Sequence, residues 1–137
     1  MADIRITDRT IAVLQKSLDL RAQKQQVIAG NIANAETPGY AARKMSFEDN
    51  LRRAINTPEM TGQKTNAKHF PIGPSSISGV QADITRETEG VSFGDGNSVS
   101  VDDEMFDLAE NQLLYEASSQ ILKKKFSMLK FAVSDGR

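Results

Sequence analysis

Residues 101–134 contain neither Pro nor Gly, and their apolar side chains recur at alternating spacings of four and three. Val101, Met105, Leu108, Gln112, Tyr115, Ser119, Leu122, Phe126, Leu129 and Val133 trace this seam, with polar breaks at Gln112 and Ser119. A heptad pattern of this length specifies one long helix with a face set against another helix. The charge order agrees. Asp102, Asp103, Glu104, Asp107, Glu110 and Glu116 fill the first half, and Lys123, Lys124, Lys125 and Lys130 the second, which complements the helix dipole. Ser100 or Asp102 can cap the start, and Gly136 follows the end.

The other end of the chain carries a weaker matching seam. Ile4, Thr7, Ile11, Leu14, Leu18, Arg21, Gln25, Ile28 and Ile32 keep the same spacing, interrupted at Arg21 and Gln25. Asn34 and then Thr37-Pro38-Gly39-Tyr40 end the helix, because Pro-Gly suits the central positions of a type II turn. Ser46-Phe47-Glu48-Asp49 resembles a capping box, and Phe47, Leu51 and Ile55 then share one face of a short third helix ending before Pro58. Residues 57–100 hold three of the four Pro and six of the nine Gly. Ile84-Thr85 and residues 91–93 are the candidates for short strands there.

The expected fold is mainly α. Two long terminal helices, in residues 1–34 and 101–137, form an antiparallel coiled-coil-like hairpin and an inner assembly core. A turn motif and short helix occupy residues 35–56. A long irregular or weakly β middle spans residues 57–100. Leu20, Val27, Leu113, Leu114, Ile121, Met128 and Phe131 fall off the two seams and widen the apolar faces beyond what one partner helix covers. The terminal helices are therefore expected to pack against other molecules.

Composition narrows the function. Of 137 residues, 32 are Leu, Ile, Val or Phe, enough for one thin core. The net charge is -1, so no whole-molecule field attracts nucleic acid. With no Cys, disulfides, thiolate metal sites and a Cys nucleophile are excluded. No apolar run approaches the roughly 20 residues of a membrane span, and the start lacks the apolar region of a cleaved signal. The chain is thus not read as an integral membrane protein.

The candidate chemical sites are weak. His69 is the single His and has no acid pair beside it, so it is read as a loop residue. Asp95-Gly96-Asn97 with Asp102, Asp103 and Glu104 imitates part of a calcium loop. It departs from the EF-hand pattern at Val99, at Ser100 and in the position of the Glu, so a turn feeding a helix cap is preferred. Lys123-Lys124-Lys125 is read as a solvated helix face, and Arg52-Arg53 likewise. No catalytic constellation can be assembled, and no cofactor or metal is expected.

The most specific stretch is Asn31-Ile32-Ala33-Asn34-Ala35-Glu36-Thr37-Pro38-Gly39-Tyr40. It resembles the N-I-A-N-x-x-T-P-G-Y signature of flagellar axial proteins, carried here by Asn31, Ile32, Ala33, Asn34, Thr37, Pro38, Gly39 and Tyr40. Residues 18–30, the short helix from Phe47, His69 before Phe70-Pro71, Asp95-Gly96-Asn97-Ser98-Val99 with Glu104-Met105, and Asn111 with Tyr115 resemble the proximal rod family of the flagellar basal body, the FlgB family. The resemblance covers both ends of the chain and is weak over residues 57–92.

It implies a non-enzymatic structural subunit, exported unfolded through the flagellar type III apparatus without a cleavable signal and polymerised into the periplasmic rod that transmits torque. The implied partners are further copies of the chain, other rod proteins, and the MS-ring/rod adaptor and export-gate proteins. The assembly seam would comprise Ile11, Leu14, Leu18, Ile28, Ile32, Val101, Met105, Leu108, Tyr115, Leu122, Phe126, Leu129 and Val133. A sibling rod protein is the near alternative. A coiled-coil adaptor or chaperone-like module is a more distant one, and it has no need of the motif in residues 31–40.

Overall fold

A computed structural model of the chain describes residues 2–56, 76–87 and 96–134, with side chains of the first helix described from Arg9 onward. Helix α1 spans Ala2–Ala33, strand β1 Arg43–Ser46, helix α2 Glu48–Asn56, a single 3-10 turn Ile77–Gly79, strand β2 Asp83–Arg86, and helix α3 Val101–Ser134. His69 and the strand expected at residues 91–93 lie outside the described residues.

Helices α1 and α3 pack against each other in opposite directions. Asn111 of α3 meets Arg21 of α1, and Glu104 meets Asn31, so one helix descends as the other rises. The side of α3 turned to α1 is not the seam expected from apolar spacing. Buried Glu104 and Asn111, with half-buried Ser118 and Lys125, form a seven-residue column, and half-buried Leu108 and Leu122 lie beside it. The expected seam shares Leu108 and Leu122 with this face but leaves Val101, Met105, Tyr115, Phe126, Leu129 and Val133 exposed. The physical reason is the pairing of polar groups. Asn111 Nδ2 donates to the Arg21 carbonyl at 2.9 Å, which rotates a polar column inward where a coiled coil would place apolar knobs.

The apolar core lies on a second side of α1. Leu20 packs with Met45, Phe47, Leu51, Ala54, Ile77 and Val80, and half-buried Val13 and Val27 complete the cluster. Val13, Leu20 and Val27 are spaced by seven, so they form one column that the segments around β1, α2 and the 3-10 turn cover. This revises the expectation for Leu20 and Val27: their own chain buries them, not a partner molecule. Arg21, which breaks the α1 seam, sets its guanidinium 5.4 Å from the centre of the Phe47 ring, with Nη1 3.5 Å from Asn111 Oδ1.

Strands β1 and β2 pair antiparallel, with Arg43 opposite Arg86, Lys44 opposite Thr85, Met45 opposite Ile84 and Ser46 opposite Asp83. Met45 reaches the core, and β2 is exposed along its length. Helix α2 starts one residue later than a Ser46 cap requires. The Leu51 N–H donates to the Phe47 carbonyl at 2.9 Å, and the Phe47 N–H donates to Glu48 Oε2 at 3.1 Å. Burial pushes the Glu48 carboxyl up, but the backbone N–H groups of Phe47 and Glu48, with Lys24 and Arg21, outweigh it and hold it below its ordinary value. Ser100 caps α3: its carbonyl accepts from the Glu104 N–H at 3.0 Å and its Oγ from the Asp103 N–H at 3.4 Å.

Candidate functional site

The C-terminal end of α1 and the N-terminal end of α3 meet in a polar junction built on two buried asparagines. Asn31 is 0% exposed. Its Nδ2 donates to the Arg43 carbonyl at 2.7 Å and to Glu104 Oε1 at 2.8 Å. Its Oδ1 accepts from the Arg43 N–H at 3.0 Å and from the Tyr40 hydroxyl at 3.3 Å. Both donors and both acceptor positions of the amide are used. The amide pairs with the peptide of Arg43 as a neighbouring strand would, and so fastens β1 to α1. Neither Asp, which lacks the donors, nor an apolar residue can do this.

Asn97 organises the turn from the other side. Its Nδ2 lies 3.0 Å from the Asn34 carbonyl, 2.7 Å from that of Ala35 and 2.9 Å from that of Thr37, and its Oδ1 accepts from the Val99 N–H at 2.8 Å. Three carbonyls of the turn that follows α1 thus converge on one side-chain amide. Asn34 Nδ2 donates back to the Gly30 carbonyl at 2.8 Å, and Thr37 Oγ1 lies 3.3 Å from Asn34 Oδ1.

The Tyr40 N–H donates to the Thr37 carbonyl at 3.2 Å, and Gly39 has φ +71°, which makes residues 37–40 the expected type II turn. Gly96 has φ +82° and faces Gly39 closely: a Cβ on Gly96 would sit 3.5 Å from the Gly39 Cα. Ser98 extends the contact. Its N–H donates to the Tyr40 carbonyl at 3.1 Å, and its Oγ accepts from the Ala42 N–H at 2.9 Å.

Glu104 brings the one buried carboxylate of the junction. Burial pushes its pKa up, and the neighbouring carboxylates of Asp107 and Glu87 push the same way. The Asn31 bond and Lys44 pull it down without cancelling the rise. Lys44 is itself raised, chiefly by its 3.1 Å bond to Glu87.

Of the motif residues, Asn31 is buried at the centre, Ile32, Asn34 and Tyr40 are half-buried, and Ala33, Thr37, Pro38 and Gly39 are exposed. Of the seam residues, Ile28 is buried, Ile11, Leu14, Leu18, Leu108 and Leu122 are half-buried, and the remaining α3 members are exposed. The junction brings residues 31–40 together with Gly96, Asn97, Ser98 and Glu104, two stretches more than 50 residues apart in sequence. The Arg21–Asn111 contact is the part that apolar spacing misses. Its signal on α1 is Arg21, a polar residue where the period calls for an apolar one, whereas Asn111 lies off the α3 seam, next to its break at Gln112.

The amides of Asn31 and Asn97 and the Glu104 carboxylate are engaged in structural hydrogen bonds, while Arg21 Nε is buried without a partner among the described residues. Asn97, a member of the calcium-loop imitation, has its side-chain oxygen taken by the Val99 N–H. Among the described residues, no three His, Cys, Asp or Glu side chains are grouped to hold a metal, and no helix is long and apolar enough to cross a membrane.

Residues 11–40, which include the whole of the 31–40 motif, match the family described as flagella basal body rod protein. The chain is 36% identical over 130 residues to the flagellar basal body rod protein FlgB of Bacillus subtilis, covering 93% of this chain and 95% of the relative. The chain belongs to the FlgB family. FlgB of Salmonella typhimurium is 34% identical over 120 residues and FlgB of Escherichia coli 33% over the same length, each covering 84% of this chain and 86% of the relative. These FlgB matches take in both long helices as well as the motif, so the similarity extends across the elements that build the junction.

Proposed function

We propose that the chain is a structural subunit of the flagellar basal-body rod, placed in its proximal part, and that it has no enzymatic role. FlgB family membership supports the rod assignment. The observation that carries the assembly reading is the surface of α3. Val101, Met105, Phe106, Leu113, Ile121, Phe126, Met128, Phe131 and Val133 are all exposed on a helix whose inward face is already occupied by α1. So large an apolar surface on one element is the mark of a partner-binding face.

In this reading residues 1–34 and 101–137 form the inner assembly core. Residues 35–56 carry the turn side of the junction that joins the two helices. The proposed assembly residues are Ile11, Leu14, Leu18, Ile28, Ile32, Val101, Met105, Leu108, Tyr115, Leu122, Phe126, Leu129 and Val133. Phe126, Leu129, Lys130, Val133 and Ser134 line an open groove suited to a helix from a neighbouring subunit. The chain reaches the periplasmic rod through the flagellar type III export apparatus. There it meets other copies, sibling rod proteins, the MS-ring/rod adaptor and the export gate. A thin core with a wide apolar helix suits a chain that crosses a narrow channel unfolded and completes its burial on docking.

Quantitative mass spectrometry of detergent-purified basal bodies tests this. Several copies per particle that survive a salt wash are expected. Absence from the particle, with a soluble stoichiometric complex in the cytosol, would replace the rod reading with that of an adaptor module.

A further inference from the structure

Strands β1 and β2 set two arginines directly opposite each other. Arg43 pairs with Arg86, and Met45 with Ile84 two residues along on the same face. Both arginines are exposed. Like charges placed opposite in a sheet repel across about 5 Å between Cβ atoms. Among the described residues, neither guanidinium has an ion pair or a hydrogen bond. The other base of β1 differs: Lys44, on the opposite face, has Glu87 at 3.1 Å. Beside the arginine pair, α1 and the sheet line an open groove of about 350 Å³. Val27, Met45 and Ile84 give it apolar surface, Gln23 and Gln26 amides, and Arg43 charge, and no carboxylate of the described residues lines it. Ile84 is 58% exposed there. The Asn31 amide holds the Arg43 peptide by its carbonyl at 2.7 Å and its N–H at 3.0 Å, so the Arg43 side chain leaves from a fixed strand. The chain thus keeps an unneutralised guanidinium pair beside an exposed apolar groove, at a cost to its own hairpin.

We propose that this face docks an acidic segment of another protein in the rod assembly, with a carboxylate on the Arg43 and Arg86 guanidiniums and a neighbouring apolar side chain in the groove. The proposal rests on the rod reading for where that partner is met. The partner's chemistry follows from charge. A carboxylate placed between the two arginines turns their repulsion into attraction, and a guanidinium holds a carboxylate through paired N–H donors. The apolar lining disfavours a segment that is charged throughout, because its charges would lose water without gaining partners. It therefore selects an acid that stands next to an apolar residue. A second copy meeting the site by the same face would bring four guanidiniums together, which disfavours a two-fold self-pair.

In the full chain, Ile84 is replaced by the photo-crosslinking residue p-benzoyl-phenylalanine, and cells that assemble basal bodies with this chain are irradiated. The expected product joins the chain to a different basal-body protein, at a segment that carries Asp or Glu beside the linked position. Arg86→Glu then separates docking from folding. It sets a carboxylate opposite Arg43 and relieves the repulsion in the hairpin, so the purified chain should melt at the parental temperature or above. It should nevertheless cut incorporation into basal bodies about tenfold or more, the effect of losing one hydrogen-bonded charge contact. Arg86→Lys should keep most of the incorporation. Changing the mapped acid of the partner to Arg should restore the Arg86→Glu chain, an outcome that misfolding cannot produce. Incorporation of Arg86→Glu at the parental level overturns the proposal. So does a cross-link to a second copy, a linked segment without an acid, or basal bodies that contain the chain and give no product. Absence of the parental chain from basal bodies is a different result, and it overturns the rod reading itself.

Discussion

At the scale of single residues, the junction depends on side-chain amides doing the work of backbone. Asn31→Ala removes the partners of the Arg43 peptide, the Tyr40 hydroxyl and the Glu104 carboxylate together. Unsatisfied buried polar groups cost about 1–3 kcal/mol each, so a loss of at least about 2 kcal/mol is expected in urea unfolding. A loss below 0.5 kcal/mol, the size of an ordinary surface change, would mean that the amide is dispensable. Gly39→Ala forces a Cβ onto a residue at φ +71° and should cost roughly 1–2 kcal/mol in the same assay. Glu104 gives a pH signature. Its folded pKa is raised, so the folded chain binds more protons than the unfolded one in the window above the ordinary carboxylate value, and its ionisation lowers stability as pH rises. Glu48 works in the opposite sense: its lowered pKa contributes stability that is lost on acidification. Glu104→Gln keeps an acceptor for Asn31 without the charge. It should therefore raise the melting temperature at pH 7 and leave it unchanged near pH 4. A lower melting temperature at pH 7 would show that the carboxylate charge is needed.

At the scale of elements, the two long helices, the Pro-Gly turn and the short helix after it were legible in the sequence, because each has a local cause. Absence of Pro and Gly, a sustained period and a turn dipeptide all act within a few residues. The side of α3 that meets α1 was not legible. Spacing finds apolar residues, and here the inward column is held by Glu104 and Asn111, whose partners lie 73 and 90 residues away in sequence. Strand β1 was missed for a related reason. Arg43–Ser46 has no alternating apolar pattern of its own, and its pairing comes from β2 and from the Asn31 side chain. Both stretches of the junction were visible as motifs, Asn31 to Tyr40 and Gly96 to Val99, but the hydrogen bonds that join them are tertiary. The cluster that buries one side of α2 draws on Leu20, Ile77 and Val80 as well as on Phe47. Phe47→Ala empties the centre of the only buried apolar cluster among the described residues and should cost about 3–5 kcal/mol, read from the urea midpoint. A cost near 1 kcal/mol would mean that the cluster collapses around the gap.

At the scale of the whole molecule, folding and assembly draw on different residues, and this separation can be tested directly. The cluster around Phe47 and the junction around Asn31 serve the single chain. Phe126 serves neither: it is 52% exposed and lies on the distal part of α3, beyond the contacts to Arg21 and Asn31. Phe126→Asp should therefore leave the melting temperature of the purified chain almost unchanged, since exposed substitutions fall within about 0.5 kcal/mol. In an assembled neighbour contact the same change would bury an unpaired carboxylate where a ring had been, at a cost that far exceeds the surface value. The expected phenotype is a chain exported at the normal level, folded when purified, absent from basal bodies and unable to support swimming. Phe47→Ala should do the reverse: it lowers the melting temperature but retains incorporation wherever docking restores the lost burial. Normal motility with Phe126→Asp would remove the distal part of α3 from the assembly surface and leave that role to the α1 side of the pair.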